Sequence, residues 1–225
     1  QISRAFNLGD TLYGPLDPQG ACRMLRASPV VFTHIRGNGD RLLFEDPSGF
    51  NPTARHTLAA LDGASLDWLG GHAPLFNEGR VMACHGTPGK DDEYLLEDIA
   101  TGAAGVKTPE AISALLPEPR AADGSLKYSL VLCGHSHIPR LCLLPSGLTV
   151  VNPGSVGLPA YADTCPRPHR METGTPLARY AVAWKTGAAW HVEFISLPYE
   201  FADMARLARA NRRPDWAAAL ESGLA

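Results

Sequence analysis

Four apolar runs in this 225-residue chain stop abruptly, each at a glycine-bearing polar exit. They are "RAFNLGD" (4–10), "VVFTHIRGNGD" (30–40), "GRVMACHGTPG" (79–89) and "YSLVLCGHSH" (128–137). Short apolar runs alone do not separate a strand from a buried helix segment. The β-branched content and the glycine at each exit decide for buried strands. Between them the pattern turns helical. "PQGACRMLRAS" (18–28) reads as a short helix. In "NPTARHTLAALDGASLDWLGGH" (51–72), Leu58, Leu61, Leu66 and Leu69 recur on a roughly helical period, and Gly63 marks a break between two helices. "DDEYLLEDIATG" (91–102) and "TPEAISALL" (108–116) are predicted helical as well, the second with Thr108 as N-cap and Pro109 at the first helical position. Strands alternating with helices make this an α/β chain.

The final third reads differently. "LCLLPSGLTVVNPGSVG" (141–157) predicts a hairpin turning at Pro-Ser-Gly, and "ARYAVAWKTGAAWHVEFISLPY" (178–199) a second around "KTG". A pair of helices over 202–223, broken near Pro214, ends the chain. The stretch 158–177, rich in Pro, Arg and Thr, is expected to be a long loop. With no internal repeat and no linker, residues 1–225 are expected to form a single domain.

Composition narrows the classes of partner. Hydrophobic residues make up 45% and charged residues 19%, a globular balance. A formal net charge of −3 argues against a nucleic-acid polymer, whose binding calls for a basic stripe. The run from Arg206 to Arg213 is expected to be a solvated helix face. Cys22, Cys84, Cys133, Cys142 and Cys165 form no CxxC pair, so neither a zinc ribbon nor a disulfide framework is indicated. Cys84 and Cys133 lie within apolar runs as small hydrophobes, which points to a reducing, cytoplasmic setting. No apolar stretch approaches the roughly 18 residues of a membrane span, and the opening residues do not read as a signal peptide. A membrane partner is not expected, and the oligomeric state is not legible.

Each strand exit delivers a group able to bind a metal: Asp10, Asn38, His85, and the pair His135 and His137. In a sheet with parallel strands, loops converge at the carboxyl ends and ligands gather there. One carboxylate, one amide oxygen and three imidazoles suit Mn²⁺, Fe²⁺, Zn²⁺ or Ni²⁺, and suit Ca²⁺ poorly. Two imidazoles one residue apart can point to neighbouring ions. His34, His56, His72, His169 and His191 lack this context and are expected to be structural or on the surface. "GHSHI" lacks the closing glycine of a G-x-S-x-G elbow, and "GTPGK" has Asp91 where a phosphate loop needs Ser or Thr.

The ordered series "GD", "GNxD", "HG" and "GHxH" resembles the signature of the calcineurin-like metallophosphoesterases, over nearly the whole chain. "NLGDTLYGPLDP", "RGNGDRLL", "HGTPGKDDEYLLED" and "NPGSVGLP" are similar to its small bacterial branch of phosphoesterases and diadenosine-tetraphosphatase-like proteins. The resemblance implies a four-layer αββα sandwich with two divalent ions at the strand ends, Mn²⁺ first and Fe, Zn or Ni as alternatives. Asp10 would bridge both ions; Asn38, His85 and His135 would complete the second ion's ligand set, and His137 would bind the first ion. The implied reaction is hydrolysis of a small phosphomono- or diester, nucleotides included. A hydroxide between ions about 3.5–4 Å apart would attack phosphorus in line, with Asn38 and His135 steadying the developing charge.

Two departures qualify the resemblance. The family's first motif, Asp-x-His, is absent, so an opening strand and helix are expected ahead of "QISRAF" that this sequence does not include. Within this sequence the first ion keeps only Asp10 and His137. The other departure is Gly39, where many relatives carry a histidine that protonates the leaving group; its absence favours substrates with good leaving groups. Asp40 is expected to hydrogen-bond a ligand histidine in support of catalysis, and Arg41 to clamp a phosphate oxygen. Asn152 and Ser155 in "NPGSVG", with Tyr13 and the 158–177 loop, are expected to contact the substrate. The alternative function is a weakly active or inactive metal-dependent binding or regulatory protein on the same fold.

Overall fold

The first two apolar runs lie side by side. In the computed structural model, which describes Ile2 and residues 4–225, β1 (Ala5–Asn7) pairs in parallel with β2 (Phe32–His34). Parallel strands need a crossover, and α1 (Pro18–Arg26) supplies it; here the chain is turned into the helix by Asp17, which accepts from the Gly20 N–H at 2.8 Å. After β2 come α2 (Asn38–Leu42), α3 (Pro52–Ala60) and α4 (Gly63–Gly70). Asn51 caps α3 through the Ala54 N–H at 2.9 Å, and Asp62 caps α4 through the Ser65 N–H at 2.7 Å. The helix break expected at Gly63 falls at Leu61 and Asp62, with Gly63 opening α4. Leu12, Cys22, Phe50, Ala54 and Leu69 make these helices one buried cluster.

The hairpin of β3 (Leu75–Glu78) and β4 (Val81–Cys84) leads to a short antiparallel ribbon, β5 (Glu97–Asp98) and β6 (Gly105–Val106), and then to α5 (Pro109–Ala114). Thr108 caps α5 as its sequence predicts, accepting from the Ala111 N–H. β7 (Leu130–Leu132), β8 (Arg140–Leu143) and β9 (Thr149–Asn152) complete a mixed five-stranded sheet in the order β3–β4–β7–β9–β8. Its inner strands β4, β7 and β9 are parallel. Register sets Met82 beside Val131 and Val131 beside Val150, and all three enter a core with Leu95, Leu96 and Ile112. Met82, Ala83 and Cys84 are all fully buried, so β4 is covered on both faces, which is why it reads as continuous apolar sequence.

The helix expected over 91–102 does not form. Tyr94, Leu95, Leu96 and Glu97 are four consecutive buried residues, which one helix face cannot provide; the chain instead passes through turns and bends into β5. The 158–177 stretch is not a bare loop either, since β10 (Tyr161–Asp163) and β11 (His169–Met171) pair antiparallel within it. Both expected hairpins form: β8 with β9, and β12 (Ala178–Thr186) with β13 (Ala189–Leu197). The chain closes on α6 (Phe201–Ala210) and α7 (Pro214–Ser222), packed through Ala205, Ala208, Ala217 and Leu220. In the basic run, Arg206 pairs with Asp203, Arg209 with Glu221 and Arg213 with Asp215, a solvated face as expected. Among the described residues no helix is long and apolar enough to cross a membrane.

Candidate metal centre

Each candidate ligand sits just beyond the carboxyl end of its strand: Asp10 after β1, Asn38 after β2, His85 after β4, and His135 and His137 after β7. The loops that carry them are bent hard. Gly9 has φ +99°, and a Cβ there would lie 2.6 Å from both the Gly37 nitrogen and His85 Nδ1, so only glycine fits. Among the described residues four non-glycines have positive φ, and three are candidate ligands: Asp10 (+52°), His135 (+66°) and His137 (+62°). Left-handed backbone is costly for such residues and collects where a side chain must be aimed.

The bends bring the groups together from both sheets. His85 Nε2 lies 3.0 Å from Asn38 Oδ1 and 3.4 Å from Asp10 Oδ2. His85 Nδ1–H donates to the Leu8 carbonyl at 2.6 Å, which fixes the tautomer and turns Nε2 toward those oxygens. That arrangement is how a metal-ligating imidazole is oriented. The His85 and His135 ring centroids are 5.2 Å apart. Asp10 Oδ1 accepts from the Gly39 N–H at 2.8 Å, leaving Oδ2 on the histidine side. His137 is packed edge-on against Tyr161, and its Nδ1 is buried with no hydrogen-bond partner.

Electrostatics separates these groups. Burial would raise the Asp10 carboxyl, but the neighbouring His85, and beyond it His135 and His137, hold it well below the usual carboxylate range. Burial also opposes protonation of His85, yet Asp10 wins and pushes it up to about 9. Burial, with His85 nearby, lowers His135 to about 3; burial lowers His137 to about 4. The "GHSH" pair therefore offers neutral imidazole lone pairs next to a carboxylate, the forms that bind cations. Among the described residues no three His, Cys, Asp or Glu side chains already stand in ligation geometry. The donor set, the partnerless Nδ1 of His137 and the anchored ring of His85 nevertheless fit a divalent cation held between the strand exits.

Two solved structures share this architecture. The crystal structure of a metallophosphoesterase from Sphaerobacter thermophilus matches with a TM-score of 0.67 at 20% identity, over 98% of this chain and 88% of that one. A hypothetical protein from Pyrococcus horikoshii OT3 matches with a TM-score of 0.69 at 18% identity, over 99% and 86% of the two chains. The fold is that of a metallophosphoesterase. No protein-family model and no curated protein matches the sequence.

Within the metallophosphoesterase fold several side chains stand elsewhere than their sequence predicts. Asp40 makes no bond to a ligand histidine: it points back under the loops and accepts from the N–H groups of Thr11, Leu12 and Gly37 at 3.1–3.3 Å. Burial, reinforced by Asp10, raises it to about 7. Arg41 is paired with Asp91 and Glu45 through its guanidinium. Asn152 is fully buried and donates to the Gly134 carbonyl (2.7 Å) and Ser136 Oγ (2.9 Å), so it braces the "GHSH" turn instead of lining a pocket. Ser155 accepts from the Gly157 and Leu158 N–H groups, a turn-capping role. Tyr13 is bonded through its hydroxyl to Asn51, and its ring fills the space over Gly39.

The structure adds Tyr94 and Tyr161 to the surroundings of the ligands and gives His169 the structural role expected of it. Tyr94 stacks on His135, and Tyr161 and His169 bind the Tyr94 hydroxyl. Tyr94 was hidden by the helical reading of 91–102, and Tyr161 by the reading of 158–177 as loop.

Proposed function

We propose that the chain is a divalent-metal-dependent phosphoesterase acting on small phosphomono- or diesters, with Mn²⁺ the first metal to test. The observation that carries this reading is the meeting of Asp10, Asn38, His85 and His135 from four separate strand exits, with Asp10, His135 and His137 in left-handed backbone. These five residues would hold the cations. When bound, such ions supply Lewis-acid charge at phosphorus and lower the pKa of water toward neutrality.

The chain's own groups do the rest. The Gly39 N–H orients the Asp10 carboxylate, and the Leu8 carbonyl orients His85. Asn38, at the start of α2, turns its amide oxygen to His85, which leaves its NH2 group as the donor that would steady charge developing on phosphoryl oxygens. Position 39 offers no proton donor, so the reading favours substrates whose leaving groups need none, such as aryl phosphates and phosphoanhydrides.

The test is hydrolysis of p-nitrophenyl phosphate and its bis-ester with Mn²⁺, Fe²⁺, Ni²⁺ or Zn²⁺, before and after chelation. Metal-dependent turnover is expected, with Asp10→Asn and His85→Ala each losing on the order of 100-fold, the scale of losing a ligand's contribution. Metal binding without turnover on either ester would replace the enzyme by a metal-dependent binding protein.

A further inference from the structure

Beside the ligands lies a buried aromatic cluster that the proposed reaction leaves unused. The Tyr94 ring lies against that of His135, with centroids 4.6 Å apart and planes inclined by 22°. The Tyr94 hydroxyl is 2.7 Å from His169 Nε2 and 2.9 Å from the Tyr161 hydroxyl. His169 Nδ1 lies 2.7 Å from the Arg167 carbonyl; with Nδ1–H donating there, Nε2 accepts from Tyr94. The Tyr161 hydroxyl has one proton and two acceptors for it, the Tyr94 oxygen at 2.9 Å and the backbone carbonyl of His135 at 3.0 Å, which share it; the Tyr161 ring meets His137 edge-on at 4.9 Å. Tyr94 and His169 are 7% and 3% exposed, so little water competes for these bonds.

We propose that Tyr94, locked by His169 and Tyr161, is a positioning residue for His135 as a metal ligand. The inference rests on the metal-dependent reading above and names how one of its ligands is held. An imidazole turns easily about its last torsion, whose wells are broad, and a ligand ring must present its nitrogen in one direction. His85 is fixed by an in-plane hydrogen bond to Leu8. His135, which also has the Asp92 backbone within reach, has an aromatic face laid on its own, which restrains the plane of the ring. The Tyr161 bond to the His135 carbonyl satisfies a backbone group in the left-handed turn at φ +66°. Tyr94, in the chain ahead of β5, is thus tied to β10 and β11, and the 158–177 segment acts on the centre through it.

The probe is Mn²⁺ alone, titrated into the full chain and followed by electron paramagnetic resonance of the free ion. Tyr94→Leu removes the ring and is expected to raise the Mn²⁺ Kd about 10- to 100-fold, the range for losing a residue that orients a ligand. Tyr94→Phe keeps the ring and is expected to restore most of that affinity. With p-nitrophenyl phosphate, the Mn²⁺ concentration at half-maximal rate should rise in parallel, while kcat at saturating Mn²⁺ stays within about twofold of the parent. Melting curves in chelator report folding separately. Unchanged Mn²⁺ affinity in folded Tyr94→Leu overturns the inference alone, as does a fall in kcat without a change in affinity. Should Tyr94→Leu not fold, Tyr94→Met, which also removes the aromatic face but keeps more of the side-chain length, is held to the same criterion. Failure of the parent protein to bind Mn²⁺ overturns this inference; the phosphoesterase reading falls with it only when Fe²⁺, Ni²⁺ and Zn²⁺ support no turnover either.

Discussion

At position 39 the missing side chain is a packing requirement as well as a chemical one. A Cβ on Gly39 would lie 2.7 Å from Tyr13 Cγ and 3.0 Å from Asp10 Oδ1. Tyr13 cannot simply swing away, because the Asn51 side chain holds its hydroxyl at 2.8 Å. Gly39 is inside α2, where alanine would ordinarily be favoured by about 1 kcal/mol. Overpacking of this kind typically costs about 1–3 kcal/mol, enough to reverse that preference. Gly39→Ala is therefore expected to destabilise the protein in urea unfolding. Combined with Tyr13→Ala it should cost less than the sum of the two single changes, since the second removes the atoms that the first strikes. Strict additivity would mean that the ring yields and that the space over Gly39 is not contested.

The elements most legible in the sequence are those whose signals are local. Thr108 with Pro109 announces a helix start by a cap and a fixed φ, and Pro214 marks the break between the last two helices; α5 and α7 begin there. The strand exits were legible for the same reason, since glycines and ligand-type residues stand within a few positions of one another. What escaped is set by contacts distant in sequence: the path of 91–102 depends on β6 and the core, and His169 gains its place only through Tyr94. The pairing of α4 with β2 is a further case. His34 and His72 stack at 4.6 Å with planes 8° apart, and Trp68 meets both edge-on. Neither nitrogen of His72 has a hydrogen-bond partner. Burial, with His34 adding to it, lowers His72 from 6.5 to about 4. Because the folded-state value is the lower one, the unfolded chain takes up the proton first as pH falls. The contribution of the neutral ring is complete above about 6.5 and is lost progressively toward about 4. His72→Phe should keep the stack, remove the titration and flatten this part of the acid limb. Its stability advantage over the parent, measured in chelator by urea midpoints, should be larger at pH 5 than at pH 8; an equal difference would show that His72 does not titrate in that window.

At the scale of the molecule, the candidate centre lies on a seam. Asp10 and Asn38 follow the strands of the two-stranded sheet, and His85, His135 and His137 follow strands of the five-stranded one. Direct contacts that cross between these parts include the Ile35–Ala73 bridge, the Arg36 N–H to the Ala73 carbonyl at 2.9 Å, the His85 contacts with Leu8, Asn38 and Asp10, the Arg41–Asp91 ion pair and the edge-on contact of Phe6 with Phe76. A cation shared by donors from both sheets would add to these contacts and tie the two halves together. Ligand present at a hundred times its Kd stabilises the native state by about 2.7 kcal/mol, and local opening of the exit loops would then require release of the ion. Hydrogen exchange is therefore expected to slow on adding Mn²⁺ in four separate loops at once, 8–10, 37–39, 85–87 and 134–137. Asp10→Asn removes a donor from one sheet, so it should weaken the protection at 134–137 in the other. Protection confined to the loops of a single sheet would show that the donors do not share their ions across the seam, and the dinuclear arrangement implied by the motif order would then have to be given up for this chain.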